Sequence, residues 1–334
     1  MKQARAFWIT SAEQAGYKDA ILEPQAGDIE VQTLFTGISR GTERLVFQGD
    51  VPVAEHETMR APFQDGAFTF PVKYGYSAVG RVLTPERRGQ IVFALFPHQS
   101  RFCVPDGAAI PVPPEVPAGR AVLAANMETA LNITWDAQIN IGDRVVVVGA
   151  GVVGALAAYL AAKIAGTEVT LVDTNPAKRG LAETLGCDFA MPDDLQGDAD
   201  VVIHASANAA GLETAISVAG LEAKLVEASW YGTGTVNVPL GGRFHQRRLQ
   251  LISSQVGRIP ARQAARWTYR RRLSKALSLL ADPCLDVLIS GETAFDALAS
   301  EYRDILHSPT TLCHRVHYGT SSVALSEVRM RRCE

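Results

Sequence analysis

Through the middle of the chain, short β-branched runs alternate with stretches whose apolar residues recur at helical spacing. "RVVVVGA" reads as a strand, and "GVVGALAAYLAAKIAG" as a helix closed by Gly166. "EVTLVD" is a second strand. "NPAKRGLAETLG" is a second helix, with Asn175 placed to cap it and Pro176 in its first turn. "ADVVIHAS", "AGLETAISVA" and "AKLVEASW" continue the alternation as strand, helix and strand. Repeated strand-helix-strand units call for a parallel sheet covered on both faces.

The flanking regions follow other patterns. Up to about residue 115, strands such as "DIEVQTLFTGIS", "SAVGRVL" and "QIVFALF" are broken by Gly and Pro. The proline cluster in "IPVPPEVPAGRAVL" then gives way to a helical pattern from Ala118. From about Pro260 the alternation stops. A basic helix within "RWTYRRRLSKALSLL", the run "LDVLIS", a helix around Phe295–Leu306 and a strand-like "TLCHRVHY" follow. In the basic helix Trp267, Leu273, Leu277 and Leu280 recur at helical spacing, which implies an apolar stripe and a solvated basic face. The expected units are residues 1–117, 118–260 and 261–334.

Composition narrows the class. The chain has 334 residues and a net charge of −3, which fits a two-domain globular protein and gives no reason to expect nucleic acid or an anionic membrane as partner. Five scattered cysteines (Cys103, Cys187, Cys284, Cys313 and Cys333) form no C-x-x-C pair, against a disulfide scaffold or a cysteine-rich zinc lobe. The start of the chain lacks an apolar secretory core, so a cytoplasmic location is expected. The 18 residues from Val145 to Ala162 carry no charge. Three glycines interrupt them, so a strand, a turn and a buried helix explain them better than a membrane span.

Gly149, Gly151 and Gly154 form G-x-G-x-x-G between a predicted strand and a predicted helix, and Asp173 follows Gly154 by 19 residues at the end of the next strand. In this context Gly149 permits a tight turn, Gly151 admits a pyrophosphate to the helix N-terminus, and Gly154 lets helix and strand pack closely. The cofactor-binding set is Gly149, Gly151, Val153, Gly154, Asp173 and Lys178. A carboxylate at Asp173 suits the ribose of NAD and repels a 2′-phosphate. Lys178 and Arg179 can reach such a phosphate, so NADP stays open.

Together with "FTGISRGTE", "GYSAVGRV" and "GDRVVVVGAGVVG", these features make the chain resemble the medium-chain dehydrogenase/reductase superfamily, in its zinc alcohol dehydrogenase group. It also has a partial likeness to bacteriochlorophyllide hydroxyethyl dehydrogenases. The resemblance implies an α/β fold: a GroES-like β-rich partial barrel, a Rossmann doubly wound parallel sheet, and a C-terminal segment that returns to the barrel. It implies a homodimer acting on a small molecule. It also shows where this chain departs. Zinc members read G-I-C-G-T-D and G-H-E-x-x-G. Here Ser39 or Arg40 stands for the cysteine, Tyr76 for the histidine and Ser77 for the glutamate, while "AANMETAL" offers Asn126 and Glu128 but no cysteine. Tyr and Ser are poor zinc ligands. His56, His98 and Glu128 lack helical ligand spacing, so no metal site is expected.

Without a metal, side chains must stabilise the reacting oxygen and move its proton. By the resemblance Thr42 takes the position of a relay hydroxyl, and Tyr76 that of a group pointing into the cleft. Tyr76 is either a hydrogen-bond donor to substrate or a core tyrosine. Arg40 either meets the pyrophosphate or a substrate carboxylate, or pairs with Glu43. His98 either relays a proton to solvent or is structural, and Glu128 either lines the cleft or belongs to a helix. The expected activity is zinc-independent, NAD(P)-linked interconversion of an alcohol and a ketone. The alternatives are NADPH-dependent reduction of a C=C bond in an enone or quinone, and a cofactor-binding protein without catalysis.

Overall fold

The computed structural model describes residues 3–319; the first two residues and residues 320–334, Cys333 among them, lie outside the described residues. The chain opens with a hairpin of β1 (Gln3–Ser11) and β2 (Gln14–Ile21), then β3 (Asp28–Ser39), which runs directly into helix α1 (Arg40–Gln48). Next come β4 (Asp65–Gly66), β5 (Val72–Lys73), β6 (Ala78–Val82), β7 (Ile91–Ala94), β8 (Arg101–Pro105) and β9 (Ile110–Pro111). The "DIEVQTLFTGIS" run is β3 from end to end. Its helix was not read from the sequence. Gly49, in the left-handed region at φ 80°, closes α1, and its N–H meets the carbonyls of Leu45 and Val46.

Helix α2 (Ala124–Ala137) begins later than the pattern implied, because residues 121–123 form a tighter 3₁₀ turn. The parallel sheet follows: β10 (Arg144–Val148), α3 (Val152–Ala162), β11 (Glu168–Val172), α4 (Arg179–Thr184), β12 (Asp188–Ala190), β13 (Ala199–His204), α5 (Ala209–Val218), β14 (Ala219–Glu227) and β15 (Gln250–Ser253). The sheet order is β12-β11-β10-β13-β14-β15, every pair parallel. This is the doubly wound arrangement, and its order reverses between β10 and β13, where such sheets open a crevice. Val145 to Val148 are buried, as β-branched residues with helices on both faces must be. Helix α3 ends at Lys163, whose N–H caps the last turn; Gly166 lies beyond it and shapes the following turn at φ 71°. Asn175 accepts the Ala177 N–H at 3.0 Å, as read, but it opens a short 3₁₀ turn ahead of α4.

The last elements are α6 (Ala261–Ala264), α7 (Tyr269–Leu279), β16 (Ile289–Ala294), α8 (Leu298–His307) and β17 (Cys313–His317). β17 returns to lie antiparallel to β3, with Cys313 opposite Ser39, and β16 pairs with β17. The resulting sheet runs β16-β17-β3-β6-β7-β9, with β8 also on β3. The expectation of a solvated basic face on α7 is corrected at Arg272, which is 2% exposed. Its guanidinium donates to Glu128 at 3.0 Å, to Asn132 at 2.5 Å and to the Val256 carbonyl at 2.6 Å. Burial of this arginine follows from a matched carboxylate on α2, which removes the cost of an unpaired charge. Glu128 is therefore a helix residue engaged in a buried ion pair. No helix among the described residues is long and apolar enough to cross a membrane.

Candidate active site

Two elements meet where β3 ends. Ser39 closes the strand and precedes α1, and its buried hydroxyl accepts a hydrogen bond from Asn126 Nδ2 on α2 at 3.1 Å. Tyr76 stands in the segment between β5 and β6, near enough to the Ser39 and Thr42 hydroxyls for both to act on its phenol. Burial pushes the Tyr76 phenol up to about 12, the Glu43 carboxylate adds to the shift, and the two hydroxyls work against it. At neutral pH the phenol therefore keeps its proton and is a donor. Tyr76 remains partly accessible, whereas Ser77 is buried with its hydroxyl on the Val122 carbonyl, facing away from this group.

Beneath Tyr76 lies a polar network inside an apolar shell. Glu43 is fully buried. Its Oε1 accepts the Ser39 N–H at 2.8 Å, a donor that the start of α1 would otherwise leave without a partner. Its Oε2 meets His98 Nε2 at 3.1 Å and accepts the Tyr302 hydroxyl at 2.7 Å. His98 Nδ1 lies 2.7 Å from Thr36 Oγ1, which is 3.2 Å from the Tyr318 hydroxyl. All partners are satisfied when His98 donates from Nε2 and accepts from Thr36 at Nδ1. His98 is 1% exposed and sits edge-on to Phe7, so it has no direct opening to solvent. Gly75 is confined against the same ring: a Cβ there would lie 2.9 Å from His98 Cδ2, and its φ is 120°.

Arg40, the first residue of α1, forms no ion pair with Glu43. It donates to the Ser308 carbonyl at 2.9 Å. Burial lowers its pKa, nearby Arg44 adds to this, and Asp173 opposes it, which places Arg40 opposite the end of β11. Lys178 is lowered mainly by burial, with Asp173 raising it and Arg40 lowering it. Arg40 at the start of α1 and Lys178 in the turn ahead of α4 thus both interact electrostatically with Asp173.

The Gly-rich turn joins β10 to α3 and is tied to Asp173 through the Ala150 N–H. Gly149 has φ 110°, and a Cβ on it would sit 2.8 Å from the Ser206 nitrogen. A Cβ on Gly154 would come 2.0 Å from the Gly149 carbonyl oxygen, so that position tolerates only glycine. Gly151 caps α3, and a Cβ on it would meet nothing within 4 Å, so the backbone there faces open space. Val153 is in the first turn of α3 and partly buried. Asp173 accepts the Ala150 N–H and the Asn175 N–H, each at 2.9 Å, and so fixes the turn while its remaining lone pairs stay available. A helix start with no side-chain cap, an open glycine and a half-buried carboxylate with lone pairs to spare fit a dinucleotide.

Among the described residues, no three His, Cys, Asp or Glu side chains gather as a metal-binding group. His56 approaches the Val51 carbonyl at 3.2 Å, His98 is on Glu43, and Glu128 is on Arg272, so these three lie in separate places. Sequence reasoning missed the central position of Glu43. The signal was present in "SRGTE": a carboxylate four residues after a strand end can reach back to that residue's N–H.

No protein-family model matches the chain. Among characterised proteins, an L-threonine 3-dehydrogenase of Rhizobium rhizogenes is 28% identical over 100 residues, a match that spans 30% of this chain and 29% of that relative. Among solved structures, an L-idonate 5-dehydrogenase from Escherichia coli aligns with a TM-score of 0.77 at 15% identity, over 95% of this chain and 98% of that one. A putative zinc-binding dehydrogenase from Sinorhizobium meliloti, bound to NADP, aligns at 0.74 and 18% identity over 95% of this chain and 100% of that one. The whole described architecture, parallel sheet and β-rich sheets alike, is the fold of these dehydrogenases.

Proposed function

Starting from this shared fold, that of the medium-chain zinc-type dehydrogenases, we propose that the chain is an NAD-linked oxidoreductase. It interconverts an alcohol and a ketone of a small-molecule substrate without zinc, and the Tyr76 phenol bonds the reacting oxygen. The observation that carries this reading is the phenol itself. Raised to about 12 by burial, it belongs to a residue that is itself only partly buried, and it stands with Ser39 and Thr42 where the resemblance places metal ligands and a relay hydroxyl. When bound, the nicotinamide supplies or removes the hydride. The chain's own groups do the rest.

Tyr76 donates to the substrate oxygen and stabilises it as charge develops there. Thr42 and Ser39 donate to the phenol oxygen and so ease the charge that builds on it as its proton moves toward the substrate. Asn126 fixes Ser39, and Glu43 keeps the phenol protonated by its charge. Arg40, Gly149 and Gly151 receive the pyrophosphate, Val153 and Gly154 shape the turn, and Asp173 receives the adenosine ribose. The NADPH-linked C=C reductase stays as a second reading because Arg40 and Lys178 both act on Asp173 and could offset its charge toward a 2′-phosphate.

Titration with both reduced cofactors separates the two. NADH should bind more tightly than NADPH. Asp173→Ala should narrow the gap by removing charge-assisted hydrogen bonds worth about 1.5–3 kcal/mol. Equal or tighter NADPH binding by the parent protein would favour the reductase reading.

A further inference from the structure

A second polar chain lies at the other side of the Gly-rich turn and has no part in the proposed chemistry. His204 ends β13 and is fully buried. Its Nδ1 is 2.7 Å from Glu227 Oε2 at the end of β14, and its Nε2 is 2.6 Å from Ser206 Oγ. Asn208 Nδ2 donates to Ser206 Oγ at 3.0 Å. The directions of these bonds follow from one helix cap. Asn208 Oδ1 accepts the Gly211 N–H at the start of α5, so its amide nitrogen is the side facing Ser206. Ser206 Oγ then accepts from Asn208, its own proton points to His204 Nε2, and His204 donates from Nδ1 to Glu227. Burial would raise the Glu227 carboxyl, but His204 and Ser229 hold it below its usual range, in keeping with this polarity. The Tyr231 hydroxyl completes the group at 3.1 Å from Glu227 Oε2.

This arrangement leaves Ser206 Oγ one free lone pair and no free proton. It can receive a hydrogen-bond donor and disfavours a phosphate or carboxylate. The Ser206 backbone is placed by the turn, its nitrogen abutting Gly149 on the β13 side of β10, while its Oγ lies at the start of α5 beside Gly211. Asp173 lies on the opposite, β11 side. A dinucleotide whose adenosine ribose is on Asp173 and whose pyrophosphate is on the turn has its other half on the β13 side.

We propose that Ser206 accepts a hydrogen bond from a hydroxyl of the ribose on the nicotinamide half of the cofactor, with His204 and Glu227 as positioning residues that hold the serine as an acceptor. The inference rests on the dinucleotide-binding part of the function proposed above.

Calorimetric titration of NADH, ADP-ribose and ADP against parent and Ser206→Ala protein tests it. All three carry the adenosine half; NADH adds the second ribose and the nicotinamide, ADP-ribose adds the second ribose alone, and ADP adds neither. The variant should bind NADH and ADP-ribose about 3–10-fold more weakly and ADP within twofold of the parent, as for one neutral hydrogen bond. Unchanged NADH and ADP-ribose binding overturns the contact. Parallel loss of ADP overturns it as damage to the turn, and loss of NADH alone assigns Ser206 to the carboxamide instead. A parent protein that binds none of the three overturns the cofactor reading itself. For the positioning role, nitrogen-15 spectra of labelled histidines, assigned with His204→Gln, should show His204 protonated on Nδ1 and shifted by ADP-ribose but not by ADP. Protonation on Nε2 or an ADP-ribose-insensitive ring would contradict it.

Discussion

Tyr76→Phe should lower turnover by about 10²–10³ while leaving NADH affinity within a few-fold of the parent. The change keeps the ring and its packing and removes only the group that donates to the reacting oxygen. The phenol is suited to that work because it keeps its proton at neutral pH, raised to about 12 by burial and by Glu43. The Gly-rich turn and Asp173 belong to the parallel sheet, so the cofactor should not sense the loss. Steady-state kinetics with a parallel NADH titration decides the matter. Turnover within a few-fold of the parent would make Tyr76 a packing residue and shift attention to Thr42 and Ser39.

The second large effect is on stability. Glu43→Ala should destabilise the fold by about 3–5 kcal/mol, measured by denaturant unfolding without cofactor. The carboxylate is fully buried and is the shared acceptor for the Ser39 N–H, His98 and the Tyr302 hydroxyl. Its removal leaves buried donors from β3, from the segment after β7 and from α8 without a partner, and a cavity besides. A loss below about 1 kcal/mol would show that the network reorganises freely and is not what joins α1 to α8.

The two halves of the site differ in how much the sequence disclosed. The strand, Gly-rich turn and helix of the proposed nucleotide side were legible because their signals are local. A β-branched run, glycines at fixed spacing and an acidic residue after the next strand all fall between Val145 and Asp173. The glycines' geometry follows from contacts within that unit, such as Gly154 against the Gly149 carbonyl. The β-rich side was legible as strands and as a motif with its metal ligands replaced, but not as a network. Glu43, His98, Tyr302 and Tyr318 are brought together by β17 and α8 returning to β3, and no short-range pattern encodes that meeting. Helix α1 was missed because "RGTE" carries no apolar residue; its stripe begins only at Leu45, and the Gly49 cap was the available clue. Arg272 was misread because a charge pattern shows which residues are basic, not which one finds a carboxylate on a neighbouring helix. The Ser206–His204–Glu227 chain joins two strand ends, and its direction depends on the cap of α5, so it too needed the fold.

The central claim is that Tyr76 and its hydroxyl neighbours perform the work a zinc ion performs in the enzymes this chain resembles. Elemental analysis of purified, active protein, paired with turnover on an alcohol and ketone panel before and after dialysis against a strong chelator, tests it most directly. The account predicts zinc far below one per chain and unchanged turnover in the chelator. One tightly held zinc per chain, with activity lost on its removal and restored on its return, would contradict it.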